Sequence, residues 1–151
     1  MAEAIKGFFK EYRWLSNFHL VRILYEGIEY PSSEAAYQAG KTLDKELRKE
    51  FAALPTPNMA RKLGQKIELR PGWFEMKPAV MEEVLRIKFS NPELKEKLLA
   101  TGDAYLEETN TWHDNFYGFC TCDKCKDKEH QNTLGKILMK IREDLRKTAI
   151  D

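Results

Sequence analysis

An acid, an amide and an amine recur along one short stretch of the chain, as Glu34, Gln38 and Lys41 in Tyr30-Pro31-Ser32-Ser33-Glu34-Ala35-Ala36-Tyr37-Gln38-Ala39-Gly40-Lys41. Pro31 stops a strand, Ser32 or Ser33 caps a helix, and the three polar residues then fall at i, i+4 and i+7 on one helix face. Such a face beside aromatic residues suits a polar, phosphate-bearing ligand. By spacing alone, a solvated face carrying an acid-to-base pair is the commoner outcome.

Three further segments carry chemistry-bearing residues. Tyr12-Arg13-Trp14-Leu15-Ser16-Asn17-Phe18 is non-periodic; its aromatics can stack a base, Arg13 can pair with phosphate, and Asn17 can read a base edge or a ribose hydroxyl. The alternative is a core of Trp14, Leu15 and Phe18 with polar turns. Asn110 to Gly118 packs Trp112, His113, Asp114, Phe116 and Tyr117 into a loop, where functional residues concentrate. Asp114 can stabilise a cationic transition state and His113 can shuttle a proton; a tight Asx turn at Asp114 is the plainer reading. Asn132-Thr133-Leu134-Gly135 opens the last helix, where backbone N–H groups favour anions and Gly135 permits close approach. Plain N-capping by Asn132 needs no ligand.

All three cysteines lie in Cys120-Thr121-Cys122-Asp123-Lys124-Cys125. The spacing is compact enough for a zinc knuckle with His130 or His113 as fourth ligand. No second knuckle accompanies it, so free thiols on a charged loop are the preferred reading. No cofactor is expected, with zinc held by Cys120, Cys122, Cys125 and His130 as the secondary possibility.

The elements that must position these residues are mostly helical. Val21, Ile23 and Tyr25 alternate, Glu26-Gly27 turns, and Ile28 and Tyr30 alternate again, which predicts a hairpin over 20–30. Helical spacing follows over 44–54, 57–66 and 73–89, the last with Pro78 requiring either a start near Met76 or a kink. Asn91-Pro92 starts another helix, which Gly102 ends. Residues 103–109 read as extended and 112–128 as a loop with a strand fragment at Phe116-Tyr117. Leu134, Ile137, Leu138, Ile141 and Leu145 form the apolar stripe of a final helix.

With 151 residues, 42% hydrophobic and 32% charged, the chain fits one α+β domain spanning 1–151, helix-dominated with a small antiparallel β-sheet. A net charge of +1 shows no basic excess for nonspecific nucleic-acid binding. The first residues have no apolar signal core and no stretch is long enough to span a membrane, so a cytoplasmic location is expected, with no membrane and no obligate protein partner. There is no Walker A sequence, no G-x-G-x-x-G and no G-x-S-x-G elbow, which disfavours nucleoside-triphosphate hydrolysis, Rossmann redox chemistry and α/β-hydrolase chemistry.

In order and spacing the segments resemble the NADAR (YbiA-like) family. The resemblance rests on Leu15 to Phe18, Tyr30 to Glu34 with Tyr37, Gln38, Ala39 and Lys41, and Ala60-Arg61-Lys62-Leu63-Gly64. It continues through Arg70, Trp73, Lys77, Met81, Leu85, Lys88-Phe89, Leu98-Leu99 and Thr101. Leu106-Glu107, Asn110, the Trp112 to Gly118 loop, and Asn132 to Met139 with Arg142 complete it. It covers nearly the whole chain. Many members carry Trp where Tyr117 stands, and the cysteine loop belongs to only part of the family.

The resemblance implies an N-glycosidase acting on an ADP-ribosyl or ribosyl-phosphate substrate. Some members cleave phosphorylated riboflavin-pathway intermediates, and others remove ADP-ribose from guanine bases in nucleic acid. Breaking an N-glycosidic bond builds positive charge at the anomeric carbon and negative charge on the leaving base. Glu34 is then the candidate acid or base, Asp114 the candidate for stabilising the sugar cation or orienting water, and Lys41 a phosphate ligand or an imine former. Arg13, Trp14, Asn17, Gln38, Trp112, Tyr117, Asn132 and Gly135 are the candidate binding residues. The alternative is a module that binds ADP-ribose or an NAD derivative without cleaving it. A second alternative is nucleic-acid interaction through lysine clusters at 45–49 and 124–128, which the balanced charge disfavours.

Overall fold

A computed structural model describes residues 3–150. In chain order the elements are β1 (Ala4–Lys6), a 3-10 helix (Lys10–Leu15), β2 (Leu20–Tyr25), β3 (Ile28–Ser32), α1 (Ser33–Ala39), α2 (Lys45–Ala53) and α3 (Pro57–Gly64). They continue with α4 (Trp73–Lys88), α5 (Pro92–Ala100), β4 (Tyr105–Glu107), β5 (Thr109–Asn110), β6 (Phe119–Cys120) and α6 (Thr133–Ile150). The architecture is α+β and helix-dominated. The contacts divide into two compact units, Leu15–Asn91 and the remainder of the chain on either side of it.

The Leu15–Asn91 unit is built on the predicted hairpin. Glu26 (φ 48°) and Gly27 (φ 85°) both take the left-handed conformation, the combination that matches a two-residue turn to the twist of its strands. The pairing sets Tyr25 against Ile28 and Ile23 against Tyr30, with an irregularity before Leu20 meets Ser32. Ile23, Tyr25 and Tyr30 point into the core with Phe51, Val84, Leu85 and Phe89. Arg48 of α2 reaches back to the turn, donating to the Glu26 carboxylate at 2.7 Å and to the Thr42 carbonyl at 2.8 Å. Helix α4 begins at Trp73 rather than near Met76 and carries Pro78 within it. Pro78 lies early in the helix and removes only the donor to the Phe74 carbonyl, on a turn where Phe74 and Glu75 are exposed to water.

The other unit contains α5, α6 and two parallel strand pairs, β1 with β4 and β5 with β6. Parallel pairing of β1 was not legible in the sequence, and it adds to the antiparallel hairpin. The α6 stripe buries Leu134, Ile137, Leu138 and Ile141 among Leu94, Leu98 and Leu106, with Leu145 half-buried. Each fully buried side chain of this kind contributes about 1.5–3 kcal/mol. Arg146 fastens α6 to the turn after α5, donating to the Gly102 carbonyl at 2.6 Å and to Asp103 at 3.0 Å. The predicted strand at Phe116-Tyr117 lies instead at Phe119–Cys120. The Asp114 carboxylate takes the Phe116 and Tyr117 N–H groups at 3.2 and 2.8 Å, which withdraws them from any ladder.

Lys88, at the end of α4, is fully buried and donates to the Ser16 carbonyl at 2.8 Å. Burial pushes its ammonium down to about 7 from an ordinary 10.5. Below about 7 both folded and unfolded chains carry the charge, and the fold bears the full cost of burying it. Between about 7 and 10.5 the folded chain is neutral there while the unfolded chain still holds the proton, so this group makes stability rise with pH. Chemical denaturation at several pH values should show the stability of the wild type gaining on that of Lys88→Met from pH 7 to 10, by at most ~1.4 kcal/mol per pH unit. A gap that narrows with rising pH would contradict the assignment.

Candidate functional site

Helix α1 follows β3 without a linker and lies in the core. The Ser32 hydroxyl caps it, accepting the Ala35 N–H at 3.1 Å. The Ser33 hydroxyl donates to the Asn17 side-chain oxygen at 2.8 Å, and the Asn17 carbonyl accepts the Glu34 N–H at 3.1 Å. All seven residues of the helix are buried. Glu34 is 7% exposed and Gln38 5%. The solvated face that spacing favours is therefore not what forms.

Glu34 and Gln38 pair across one turn, the Gln38 amide donating to Glu34 Oε1 at 2.9 Å. That bond fixes the amide orientation and leaves Gln38 Oε1 buried with no hydrogen-bond partner. Lys41, half-buried just past the helix, points its Nζ 3.4 Å from the Gly64 carbonyl. Burial pushes the Lys41 ammonium below its ordinary range; Glu34 opposes this and Lys77 of α4 adds to it. The backbone carbonyls at this end are also engaged, Arg70 donating its N–H to Lys41 O at 2.8 Å and its guanidinium to Gly40 O at 3.4 Å.

Gly64 makes the arrangement possible. A Cβ there would overlap the Gln38 amide oxygen and lie 3.3 Å from Lys41 Nζ. Spacing along the chain does not single out Gly64 or Lys77; their signals are a glycine in the last turn of α3 and a second lysine on α4. On the same helix, the buried Tyr37 packs against Trp73 of α4 with ring centroids 5.4 Å apart.

Other predicted residues have different surroundings. Both ends of the Asn17 amide are occupied, the oxygen by Ser33 and the nitrogen by Met81 Sδ at 3.4 Å, so Asn17 positions α1 rather than presenting a free amide. Trp14 is buried, with an edge on a surface groove shared with Lys6, Tyr12, Lys97 and Asp103, and Arg13 is exposed.

In the unit that carries the 110–118 loop (the loop unit), Asp114 makes the Asx turn already described. Asn110 organises the same loop, its oxygen accepting the Trp112 and Asp114 N–H groups at 3.2 and 3.3 Å and its nitrogen donating to Asp114 O at 2.9 Å. Trp112 is 58% exposed. Tyr117 is half-buried and packs edge-on against Phe116, centroids 4.7 Å apart.

The start of α6 is not the open anion cradle its composition suggested. The Thr133 and Leu134 N–H groups donate to the Phe116 and Tyr117 carbonyls, each at 3.0 Å. Asn132, at φ 48°, accepts from Glu108 N–H at 3.0 Å and donates to Leu106 O at 2.9 Å. Gly135 lets the helix meet β4, because a Cβ there would overlap the Leu106 carbonyl. These residues join loop, strand and helix.

The cysteine loop also differs from its predicted form. His130 stacks flat on Phe119, centroids 3.7 Å apart, and its Nε2 lies 3.1 Å from the Cys120 carbonyl. His113 takes the fourth place instead, and its ring nitrogen and the three sulfurs all lie within 4.8 Å of one another.

The NADAR domain profile matches residues 6–146. The chain belongs to the NADAR family. It is 36% identical over 151 residues to N-glycosidase YbiA of Escherichia coli (strain K12), covering 96% of this chain and 91% of that protein. A riboflavin biosynthesis protein of Vibrio vulnificus (strain YJ016) is 34% identical over 139 residues, which is 90% of this chain and 36% of that one. The NMR structure of E. coli YbiA superposes with a TM-score of 0.85 at 33% identity, covering all of this chain and 89% of that one. Among the described residues, no helix is long and apolar enough to cross a membrane.

The close fit at Gly64 yields a test. On an ordinary helix, Gly→Ala stabilises by about 0.5–1 kcal/mol. Gly64→Ala should reverse that sign, costing about 1–3 kcal/mol by forcing the Gln38 amide off Glu34. Urea melts measure the sign directly, and a stabilised variant would show that Gln38 yields freely.

Proposed function

We propose that this NADAR domain, acting as one domain over residues 1–151, hydrolyses the N-glycosidic bond of a ribosyl-phosphate or ADP-ribosyl substrate. The observation that carries the reading is the buried Glu34–Gln38 pair with Lys41 beside Gly64. A buried carboxylate and a half-buried amine cost stability as structural elements. As chemical groups they gain from burial, because charge interactions strengthen where water is excluded. The names of the N-glycosidase relatives support this class of reaction, and the Vibrio protein, of which this chain matches 36%, is named for riboflavin biosynthesis.

Glu34 serves as acid or base, delivering a proton to the departing base or taking one from water. General acid–base help of this kind contributes roughly 10²–10⁴-fold. Lys41 has two roles open to it: as an ammonium it binds substrate phosphate, and as a neutral amine it attacks C1 of an opened ribose and expels water to form an imine. The downward push on its proton affinity favours the second. The other unit, taken by itself, carries Asp114 with one carboxylate oxygen not committed to the Asx turn, Trp112 with an exposed stacking face, and Arg13 as an exposed cation.

The substrate test is one incubation series: an oligonucleotide carrying ADP-ribosylated guanine, free ADP-ribosyl nucleosides, and phosphorylated aminopyrimidine and pyrimidinone ribosides. Mass spectrometry reports which of them loses its sugar. Binding without cleavage across the series would favour the non-catalytic module. Glu34→Gln, isosteric and able to keep a hydrogen bond to Gln38, should melt like the wild type and lose turnover by at least ~10²-fold. Unchanged turnover excludes Glu34 as the acid or base. Borohydride added during turnover should leave a substrate-derived mass on the wild-type chain and none on Lys41→Met; no adduct on either assigns Lys41 to phosphate.

A further inference from the structure

We propose that His113, Cys120, Cys122 and Cys125 form a closed four-coordinate zinc site that fixes the loop carrying Asp114. The four donor atoms lie within 4.8 Å of one another. His113 Nδ1 is 3.4 Å from Cys125 Sγ and 3.3 Å from Cys122 Sγ. Zn–S bonds of ~2.3 Å and Zn–N bonds of ~2.0 Å in a tetrahedron place neighbouring donors about 3.5–3.8 Å apart. The two His113–sulfur distances are thus close to those of a zinc shell, and every other donor pair lies no more than about 1 Å beyond that spacing.

The hydrogen-bond chemistry of the cluster points the same way. A neutral imidazole nitrogen carries either one proton or one lone pair, so Nδ1 cannot make good bonds to two sulfurs at once. A metal ion satisfies imidazole and thiolates together. The backbone is also arranged as a ligand loop. Cys125 and Lys126 both donate N–H to the Cys122 carbonyl at 3.0 Å, closing a tight turn between two of the ligands. The His113 N–H lies 3.3 Å from Cys120 Sγ, a donor suited to a metal-bound thiolate. His113 reaches this position with φ at +70°, a left-handed conformation uncommon for a residue with a side chain.

The donor set selects the metal. Three thiolates and one imidazole in tetrahedral array suit zinc, and four protein ligands leave no position for water, so the ion is structural. Binding converts three thiols to thiolates and releases three protons for each Zn²⁺ taken up. The cross-link joins residue 113 to 120, 122 and 125, closing the segment that contains Asp114, Phe116 and Tyr117. The proposal is independent of the reaction catalysed.

The test uses the full chain, purified under reducing conditions from zinc-supplemented cells. Elemental analysis should find roughly one zinc per chain, and cobalt reconstitution should give thiolate-to-cobalt charge-transfer bands. Cys122→Ser and His113→Ala, at the more accessible ligands, should each lower zinc affinity by at least ~10-fold in competition with a chromogenic chelator. His130→Ala should retain the metal. Circular dichroism of each variant checks that it folds. Zinc-free protein with three thiols titrating in the native state overturns the proposal. So does a disulfide within the cluster, or loss of zinc in His130→Ala with retention in His113→Ala.

Discussion

The hydrogen bond between Glu34 and Gln38 is the point on which the Leu15–Asn91 unit turns. A helix with no solvent-facing residue cannot carry a carboxylate unless something inside the protein answers it. Gln38 answers one oxygen directly, and Lys41 supplies an opposing charge three residues further on. Space for both depends on a hydrogen at Gly64 in place of a side chain. The start of the helix is placed by Asn17, through Ser33 and the Glu34 N–H, and the segment before Asn17 is held by Lys88 through the Ser16 carbonyl. A buried lysine thus holds the backbone from which the buried carboxylate is positioned.

The loop unit uses polar groups differently. Its side chains and carbonyls are spent on each other: Asp114 on Phe116 and Tyr117, Asn110 on Trp112 and Asp114, and the Phe116 and Tyr117 carbonyls on the first N–H groups of α6. A loop that satisfies its own backbone is already ordered before a ligand arrives, so little entropy remains to be lost on binding. The surface it leaves for a ligand is aromatic. Trp112 is exposed and Tyr117 half-exposed, which suits stacking better than recognition by hydrogen bonds.

Local features were legible in the sequence and tertiary ones were not. The Glu26-Gly27 turn, a serine cap at Ser32 or Ser33 and the α6 stripe depend on residues a few positions apart, and each is readable from spacing; the structure places the cap at Ser32. The pairing of Ala4–Lys6 with Tyr105–Glu107 joins strands some hundred residues apart, and three-residue strands carry no period to read. The burial of α1 was hidden by its composition, because Ser, Glu and Gln describe a wet helix until the elements around it are known. The family resemblance supplied the functional reading that spacing withheld. Between His113 and His130, distance along the chain could not choose; the left-handed backbone at His113 and the Phe119 ring under His130 made the choice.

The opposing influences on Lys41 also separate the roles assigned to it and to Glu34. Burial and Lys77 both disfavour the ammonium, and Glu34 is the influence that favours it. Loss of the Glu34 charge therefore shifts Lys41 further toward the neutral amine, which is the form that attacks a carbonyl carbon. A change that removes the proton-transfer group thus leaves the candidate nucleophile more available. If both groups served only to bind phosphate, the anionic Glu34 would repel the ligand, and its presence beside Lys41 would work against that function. The carboxylate's position is intelligible when the pair divides the labour, one group moving protons and the other engaging the sugar or its phosphate.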